Sequence, residues 1–299
     1  MRSILTHAAL IGGLALAAPA AGAEEPAPVE LSTACTTYID ALPYTISAPG
    51  HYCLKANRST GHFLAVVVNS PDATLDCRNR AIEFQGGANA SGTDGVVVSP
   101  GANDATVQNC TIRGFDRGIR SASSAADVTI RNNRIERFLT FGIQGGGDRF
   151  NVVNNRVTDG GSLDNAATGI WVAGDPAQPA TGQVIVNNLI AGLHGLQVTG
   201  IGAYASQGLR LVNNHIMGLR VNGNAAWAYG IVAYGGGLSD LQVINNTTSA
   251  MAQDQLFFPM YADPAPTLCR GNTVYNNPNL PFANCVRSID NTTVQTPMY

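Results

Sequence analysis

A short phrase of alternating apolar and polar residues, ending in two adjacent asparagines, recurs along the chain from about residue 105 onward. One copy, residues 128–135, reads Val-Thr-Ile-Arg-Asn-Asn-Arg-Ile. The alternation has a period of two, which predicts short β-strands rather than helices. The second asparagine position of the phrase recurs at intervals of 22 to 33 residues. It is occupied by Cys110, Asn133, Asn155, Asn188, Asn214, Asn246 and Asn272.

A second phrase, a glycine followed by an aliphatic residue, recurs in phase with the first. Its copies are Gly95-Val96, Gly118-Ile119, Gly142-Ile143, Gly169-Ile170, Gly200-Ile201 and Gly230-Ile231. Fixed phrases separated by segments of variable length are typical of a solenoid, in which every coil is the same unit and loops absorb the differences in length. The sequence therefore predicts an all-β solenoid of about eight coils.

The recurring asparagines have a structural explanation. Stacked coils place equivalent residues about 4.7 Å apart. Asparagine tolerates the left-handed backbone of a tight bend, and its amide can donate to and accept from the amides above and below. We therefore interpret the asparagines as a structural ladder and not as a catalytic row. An interior aliphatic column accompanies it and comprises Ile130, Val152, Ile185, Leu211 and Val243.

The N-terminal residues have the pattern of a secretory signal. A charged Arg2 precedes an apolar run from Ala8 to Ala18, and Ala21-Gly22-Ala23 follows as a cleavage site. The run is shorter than the roughly 20 apolar residues that span a membrane. We therefore expect residues 1–23 to be removed, and the mature protein, with no membrane span, to be secreted or periplasmic.

The amino-acid composition excludes one class of binding partner. The 299 residues include 26 asparagines but only 17 Lys and Arg against 20 Asp and Glu, and the single lysine is Lys55. Because binding to nucleic acid requires many cations to neutralise phosphates, we exclude nucleic acid as a partner. Apolar residues make up 45% of the chain, which is enough for a hydrophobic core.

The combination of a Gly-Ile strand, a Val-x-Ile strand and an Asn-Asn turn resembles the right-handed parallel β-helix proteins of the pectate-lyase-like superfold. The resemblance covers residues 65–275 and implies a right-handed, single-stranded parallel β-helix. Residues 24–64 would then form an N-terminal cap with a disulfide, and residues 276–299 a C-terminal cap and tail. The stretch 46–54 is similar to the opening coils of secreted β-helix-repeat proteins of unassigned activity. Lyases, hydrolases, epimerases and non-catalytic binders all use this superfold.

Six cysteines in an exported chain predict disulfides, although six allow fifteen pairings. The repeat register favours one set. Cys77 and Cys110 hold equivalent turn positions on neighbouring coils, within the Cα separation of about 4.4–6.8 Å that a disulfide tolerates. The remaining pairs, which would tie down the ends of the solenoid, are Cys35–Cys53 and Cys269–Cys285.

The resemblance implies that a ligand would lie along the outer face of the Gly-Ile strands. Side chains alternate in direction, so residues two and four after the glycine point outward if the isoleucine points inward. Trp171, Tyr204 and Tyr234 then fall on one face of successive coils, with Gln144 beside them. Exposed aromatic rings of this kind stack on sugars, so these four are our candidate substrate-binding residues. The alternative is ordinary packing of surface aromatics between coils.

Two catalytic chemistries are possible on that face. The stretch Thr93-Asp94-Gly95 is similar to part of a polygalacturonase motif, but no second acid pair follows, which disfavours hydrolysis. Elimination on an acidic glycan needs a base and a charge-neutralising group. For a lyase, Arg120 would be the charge-neutralising group or the base, Asp94 or Asp148 would bind a cation or the substrate, and that cation could be Ca²⁺.

The hypothesis that follows is a monomeric, exported β-helix protein that binds polysaccharide and cleaves it if it is an enzyme. Elimination is favoured over hydrolysis. The alternative, from a different class, is a non-catalytic envelope or extracellular solenoid with a binding or structural role.

Overall fold

The computed structural model of the chain describes residues 34–86, 90–222, 227–250, 256–263, 267–275, 282–283, 285 and 287–294. Every regular element in these ranges is a β-strand, so they contain no helix that could cross a membrane. The predicted signal peptide, residues 1–23, lies outside the described residues, as does part of the predicted C-terminal tail. The predicted all-β solenoid of about eight coils is confirmed.

Three sheets run the length of the solenoid, and the chain passes through each coil in the order A, C, B. Sheet A contains Thr37–Ile39, Gly50–Leu54, Ala73–Asp76, Thr106–Gln108, Thr129–Arg131, Asn151–Val153, Val184–Val186, Arg210–Val212, Leu241–Ile244, Thr267–Arg270 and Arg287–Ile289. Sheet C contains Arg58–Thr60, Ala81–Phe84, Thr111–Arg113, Arg134–Glu136, Arg156–Thr158, Leu189–Ala191, His194–Gly195, His215–Val221, Thr247–Ala250, Thr273–Tyr275 and Thr292–Val294.

Sheet B has longer strands than the other two in the middle and C-terminal coils. It contains Tyr44–Ile46, Leu64–Val68, Asp94–Val98, Arg117–Ser121, Phe141–Gly146, Ala167–Ala173, Gln197–Tyr204, Trp227–Tyr234 and Leu256–Asp263. A further pair of short strands, Ala180–Thr181 and Ser206–Gln207, lies outside the three sheets. The paired strands are parallel and each pairs with its equivalent on the next coil.

The core is a set of stacked aliphatic columns between the three sheets. In sheet A, Ile130 pairs with Val152, which pairs with Ile185, and the column continues through Leu211 and Val243. All five side chains are buried, as the alternation predicts. Each three-residue strand contributes one inward residue. Stacking of the coils joins these residues into continuous columns along the axis, and for this reason such short strands can form a core.

The two asparagines of each pair have different structural roles. The first asparagine has left-handed backbone, with φ of 57° at Asn187, and it provides the bend between sheets A and C. The second is buried and forms the ladder. The side chain of Asn188 accepts from the backbone N–H of Asn155 at 2.9 Å and donates to the carbonyl oxygen of Val152 at 2.9 Å. The sequence identified both asparagines as structural but not this division.

The ladder runs without a break from Asn133 to Asn272 and ends on Asn291. At its N-terminal end the backbone N–H of Cys110 donates to the side-chain oxygen of Asn133 at 3.0 Å. Cys110 therefore occupies the ladder position of its own coil, and its disulfide replaces the amide contact to the coil before it.

The three predicted disulfides are present. The Cα–Cα distances are 4.7 Å for Cys77–Cys110, 5.7 Å for Cys35–Cys53 and 5.8 Å for Cys269–Cys285. The register of the coils identified the Cys77–Cys110 pair, because it places these two residues one above the other, and the other two disulfides lie near the ends of the solenoid, as predicted.

The glycine of the Gly-Ile phrase is required by close packing between sheets. At Gly118, a Cβ atom would lie 2.4 Å from Cγ2 of Ile135 and 2.6 Å from the carbonyl oxygen of Gly142. No larger residue fits there without moving a neighbouring strand. Gly118 and Ile119 both face the interior, so the residues on either side of them face outward on sheet B.

We predict that Asn188→Ala lowers the free energy of unfolding by about 2–4 kcal/mol, because buried backbone groups of two neighbouring coils lose their partners. The matched control is Asn187→Gly, one residue earlier, where an exposed side chain is removed and the left-handed backbone is kept. Its cost should stay below about 1 kcal/mol. Urea unfolding monitored by far-ultraviolet circular dichroism measures both. Equal shifts for the two variants would contradict the division of roles between the paired asparagines.

Candidate functional site

The outer face of sheet B carries three rows of side chains that run parallel to the solenoid axis. The first row comprises Asp94, Arg117, Phe141, Thr168, Thr199, Tyr229 and Phe258. The middle row comprises Val97, Arg120, Gln144, Trp171, Gly202, Val232 and Tyr261. The last row comprises Gly146, Ala173, Tyr204, Tyr234 and Asp263. The residues predicted two and four positions after each glycine therefore do share rows.

The three predicted aromatics form one cluster. The ring centroids of Trp171 and Tyr234 are 6.0 Å apart, and those of Tyr204 and Tyr234 are 5.4 Å apart in an edge-on arrangement. The Trp171 ring lies over Gly202 of the next coil, where a Cβ atom would be 2.3 Å from Cε3 of the indole. The glycine in the row is thus what allows the indole to lie against the sheet.

The cluster borders an open groove of about 390 Å³. The groove is lined by Trp171, Gln197, Thr199, Tyr229, Val232, Tyr234, Tyr261 and Asp263. A smaller depression of about 130 Å³ shares Trp171, Gln197 and Thr199 with it and extends toward Phe141. Together they follow sheet B across five successive strands, from Phe141 to Asp263.

A second group of rings stands beside the groove. Phe258 stacks on both Trp227 and Tyr229, with centroid distances of 5.6 Å and 5.4 Å, and the Trp227 and Tyr229 centroids are themselves 6.3 Å apart. Tyr229 belongs to the groove wall, and Trp227 is exposed. The Tyr229 ring of the groove wall is therefore packed against two further aromatic rings.

Sequence analysis missed Tyr229, Tyr261 and Asp263. The last two lie on a coil where Pro259-Met260 replaces the Gly-Ile phrase. Met260 pairs with Ile231, so the register continues through the substitution. Counting two and four residues from Pro259 gives Tyr261 and Asp263, which is the signal that could have found them.

The groove contains one carboxylate among its described lining residues, at Asp263. The hydroxyl of Tyr261 donates to Oδ2 of Asp263 at 3.2 Å. Partial burial, and then this carboxylate, raise the pKa of Tyr261 above its ordinary value. Burial also raises the pKa of Tyr229, with contributions from Tyr261 and Tyr234. Both phenols therefore stay protonated, as hydrogen-bond donors, throughout the physiological pH range.

The structure brings two of the three predicted catalytic residues together as an ion-pair cluster. Asp94 is only 1% exposed. Its carboxylate accepts from Nε of Arg117 at 2.5 Å and from Nε of Arg120 at 3.0 Å. Both guanidinium groups are thus engaged by a buried carboxylate. On the middle row Gln144 and then Trp171 follow Arg120, so the cluster lies two coils before the aromatic groove.

Asp148, the third predicted catalytic residue, and Gln144, a predicted substrate-binding residue, have surroundings that differ from those of Asp94. Asp148 lies in the turn beyond its sheet B strand and accepts from the backbone N–H and the hydroxyl of Thr181, both at 2.9 Å. These hydrogen bonds hold the pKa of Asp148 below its ordinary value. Gln144 lies between Arg120 and Trp171, and its buried Oε1 has no hydrogen-bond partner among the described residues.

Asp94, one of the two carboxylates that the sequence suggested as cation ligands, does not fit a calcium site. Ca²⁺ takes six to eight oxygen ligands, whereas both oxygens of Asp94 are occupied by arginines. Within the part of the chain that the structure describes, no group of three or more His, Cys, Asp or Glu side chains could hold a metal ion. We therefore derive no step through a metal.

Comparison with known families identifies the class of protein. The chain matches the profile of the family described as the right-handed β-helix region over residues 45–248 and 94–294. It belongs to this family, and its fold is a right-handed parallel β-helix, as the resemblance in the sequence implied. A search of curated proteins found no match.

Solved structures show the same fold. The surface adhesin PfbA of Streptococcus pneumoniae is similar in two crystal structures, each at 12% identity, with TM-scores of 0.53 and 0.54. The alignments cover 83% and 82% of this chain and 61% and 68% of the adhesin chains. DFA-IIIase from Arthrobacter chlorophenolicus A6 gives 12% identity and a TM-score of 0.47 over 81% of this chain and 62% of that one. Likeness at these identities shows the fold alone.

We predict that Asp94→Ala destabilises the protein by about 2–4 kcal/mol, because it leaves two guanidinium groups without their buried partner. Arg120→Ala should cost less than about 1 kcal/mol, because Arg120 is partly exposed and Arg117 still pairs with Asp94. Thermal unfolding of the two variants under identical conditions makes the comparison. A loss of stability in Arg120→Ala as large as that in Asp94→Ala would show that the cluster does not depend mainly on its buried carboxylate.

Proposed function

We propose that this protein binds a non-acidic polysaccharide along the groove of sheet B and does not cleave it. The observation that carries the proposal is the Trp171 indole, which lies over Gly202 in the wall of a groove that Tyr234 and Tyr229 also line. Aromatic rings with an exposed face and a polar tip provide the apolar and hydrogen-bonding contacts that sugar rings need.

The shape of the groove supports a linear ligand. It follows sheet B across five strands, which at a spacing of about 4.8 Å corresponds to about 19 Å along the axis. Polar groups of Gln197 and Thr199 lie between the rings of Trp171 and Tyr229. Gln144, which precedes Trp171 in the middle row, extends the polar part of this face toward the N-terminal coils. A chain lying parallel to the axis would thus meet both aromatic rings and polar side chains along the groove.

The charge of the groove supports a non-acidic ligand. Among its described lining residues there is no lysine or arginine, and Asp263 contributes a negative charge. The nearest arginines on the same rows, Arg117 and Arg120, already pair with Asp94. A uronate in the aromatic groove would meet no cation there and would lie near a like charge.

The distribution of carboxylates supports binding without turnover. Glycoside hydrolysis uses two carboxyl groups about 5–9.5 Å apart, and Asp263 is the one carboxylate that the described lining provides. Elimination needs a base and a neutralising cation beside the sugar, and no described lining residue carries a positive charge.

We also place the protein outside the cytoplasm. Three disulfides among the described residues favour an oxidising compartment, in agreement with the secretory signal that the sequence predicts for residues 1–23.

The test is binding to a panel of neutral, uronic and amino polysaccharides, with and without calcium. We predict that Trp171→Ala weakens binding at least tenfold, a loss of about 1.4 kcal/mol, because the ligand loses its main stacking face. The control is Tyr38→Ala, which removes an exposed aromatic of sheet A far from the groove and should change the affinity less than twofold. Affinity electrophoresis and isothermal calorimetry measure both.

Turnover is monitored in the same samples. No binding to any polysaccharide, or equal loss in the Tyr38 and Trp171 variants, would refute the proposal. Unsaturated products that require Arg120 would replace it with a lyase acting on an acidic glycan, and new reducing ends alone would replace it with a hydrolase.

A further inference from the structure

The C-terminal end of the groove carries a negative charge without a counter-ion. Asp263 ends the last row, is exposed, and lies next to Tyr234 in the register. Its carboxylate accepts a hydrogen bond from the hydroxyl of Tyr261. Among the residues that the structure describes, no lysine, arginine or histidine pairs with it. Asp94, on the same sheet, is by contrast buried between two arginines.

Aromatic rings surround the same space. Trp171, Tyr229, Tyr234 and Tyr261 all line the groove that Asp263 closes. The face of an aromatic ring carries negative electrostatic potential and attracts cations within about 6 Å of its centroid. Four rings and one carboxylate, with no cation in the described lining, therefore give this groove a potential that favours a positively charged ligand group.

The phenols strengthen this selectivity. Tyr229 and Tyr261 have raised pKa values, so both remain neutral and add ring faces without adding charge. Because Asp263 is exposed, its attraction for a cation is screened by salt and modest by itself. The rings, which exclude water from one side of the ligand, are what makes the end of the groove selective.

We propose that the polysaccharide recognised by this groove carries free amino groups, with a protonated amine held between the rings of Tyr234 and Tyr261 and the carboxylate of Asp263. This inference rests on the proposed function and specifies the class of its ligand. An amino sugar presents both requirements in one residue, since its ring can stack on Trp171 and its ammonium group can meet Asp263. The volume of about 390 Å³ lies within the range that small-molecule sites occupy.

The experiment compares three matched pentasaccharides by isothermal calorimetry at low ionic strength. The β-1,4 pentamer of glucosamine carries amines, the pentamer of N-acetylglucosamine has the same backbone without charge, and cellopentaose has hydroxyls instead. We expect the amine-bearing pentamer to bind about tenfold more tightly than the acetylated one. The ratio should fall as salt is added, and it should vanish above the pKa of the ligand amines.

Asp263→Asn should bring the ratio between the two pentamers to about threefold or less, which is the preference that the rings alone provide. The matched control is Asp104→Asn. Asp104 is exposed in a turn of left-handed backbone that asparagine also adopts, so the variant makes the same change in net charge away from the groove. It should leave the ratio unchanged.

Each outcome separates this inference from the proposed function. Equal affinity of the wild-type protein for all three pentamers would overturn the inference and leave polysaccharide binding in place. A preference for the amine that stays at about tenfold in Asp263→Asn, or that falls equally in Asp104→Asn, would overturn the role of Asp263. Failure of every pentamer and every polysaccharide to bind would overturn both proposals.

Discussion

The hydrogen bond from one asparagine side chain to the next coil is the interaction on which the rest of the structure depends. Most strands of sheets A and C are only three residues long. Each therefore makes few backbone hydrogen bonds to the neighbouring coils, and these bonds alone hold the register of the coil weakly. The buried amides from Asn133 to Asn272 join each coil to its neighbours in one register. Because that register holds, side chains from segments about 30 residues apart arrive in the same outward row on sheet B.

Most of the fold could be predicted because its causes are local and repeated. A period of two, a pair of asparagines and a glycine before an isoleucine recur along the coils, and their phase places the interior column and the partner of Cys77. The sequence could not separate the roles of Asn187 and Asn188. The two residues are identical, and only the backbone conformation determines which one bends and which one turns inward.

The site was less predictable, for two physical reasons. Trp171, Tyr204 and Tyr234 follow the glycine phrase, whereas Tyr261 and Asp263 follow Pro259, where the phrase has changed although the register has not. The role of Asp94 depends on contacts across 23 and 26 residues. The sequence pattern is the same for an arginine that binds a substrate and for an arginine that neutralises a buried carboxylate. Only the burial of the carboxylate in the structure distinguishes the two.

The outer face of sheet B is built from one short stretch of each coil, and the Trp171 indole that lies over Gly202 shows that neighbouring stretches also have to fit one another. Each coil contributes a single short strand to this face. The contacts of the asparagine ladder do not involve the outward side chains of that strand. Exchange, gain or loss of one coil would therefore change one strand of the surface and its contacts with the adjacent coils, while more distant coils keep their places. A scaffold of this kind can change the length and the chemical order of what it recognises by small, separable steps.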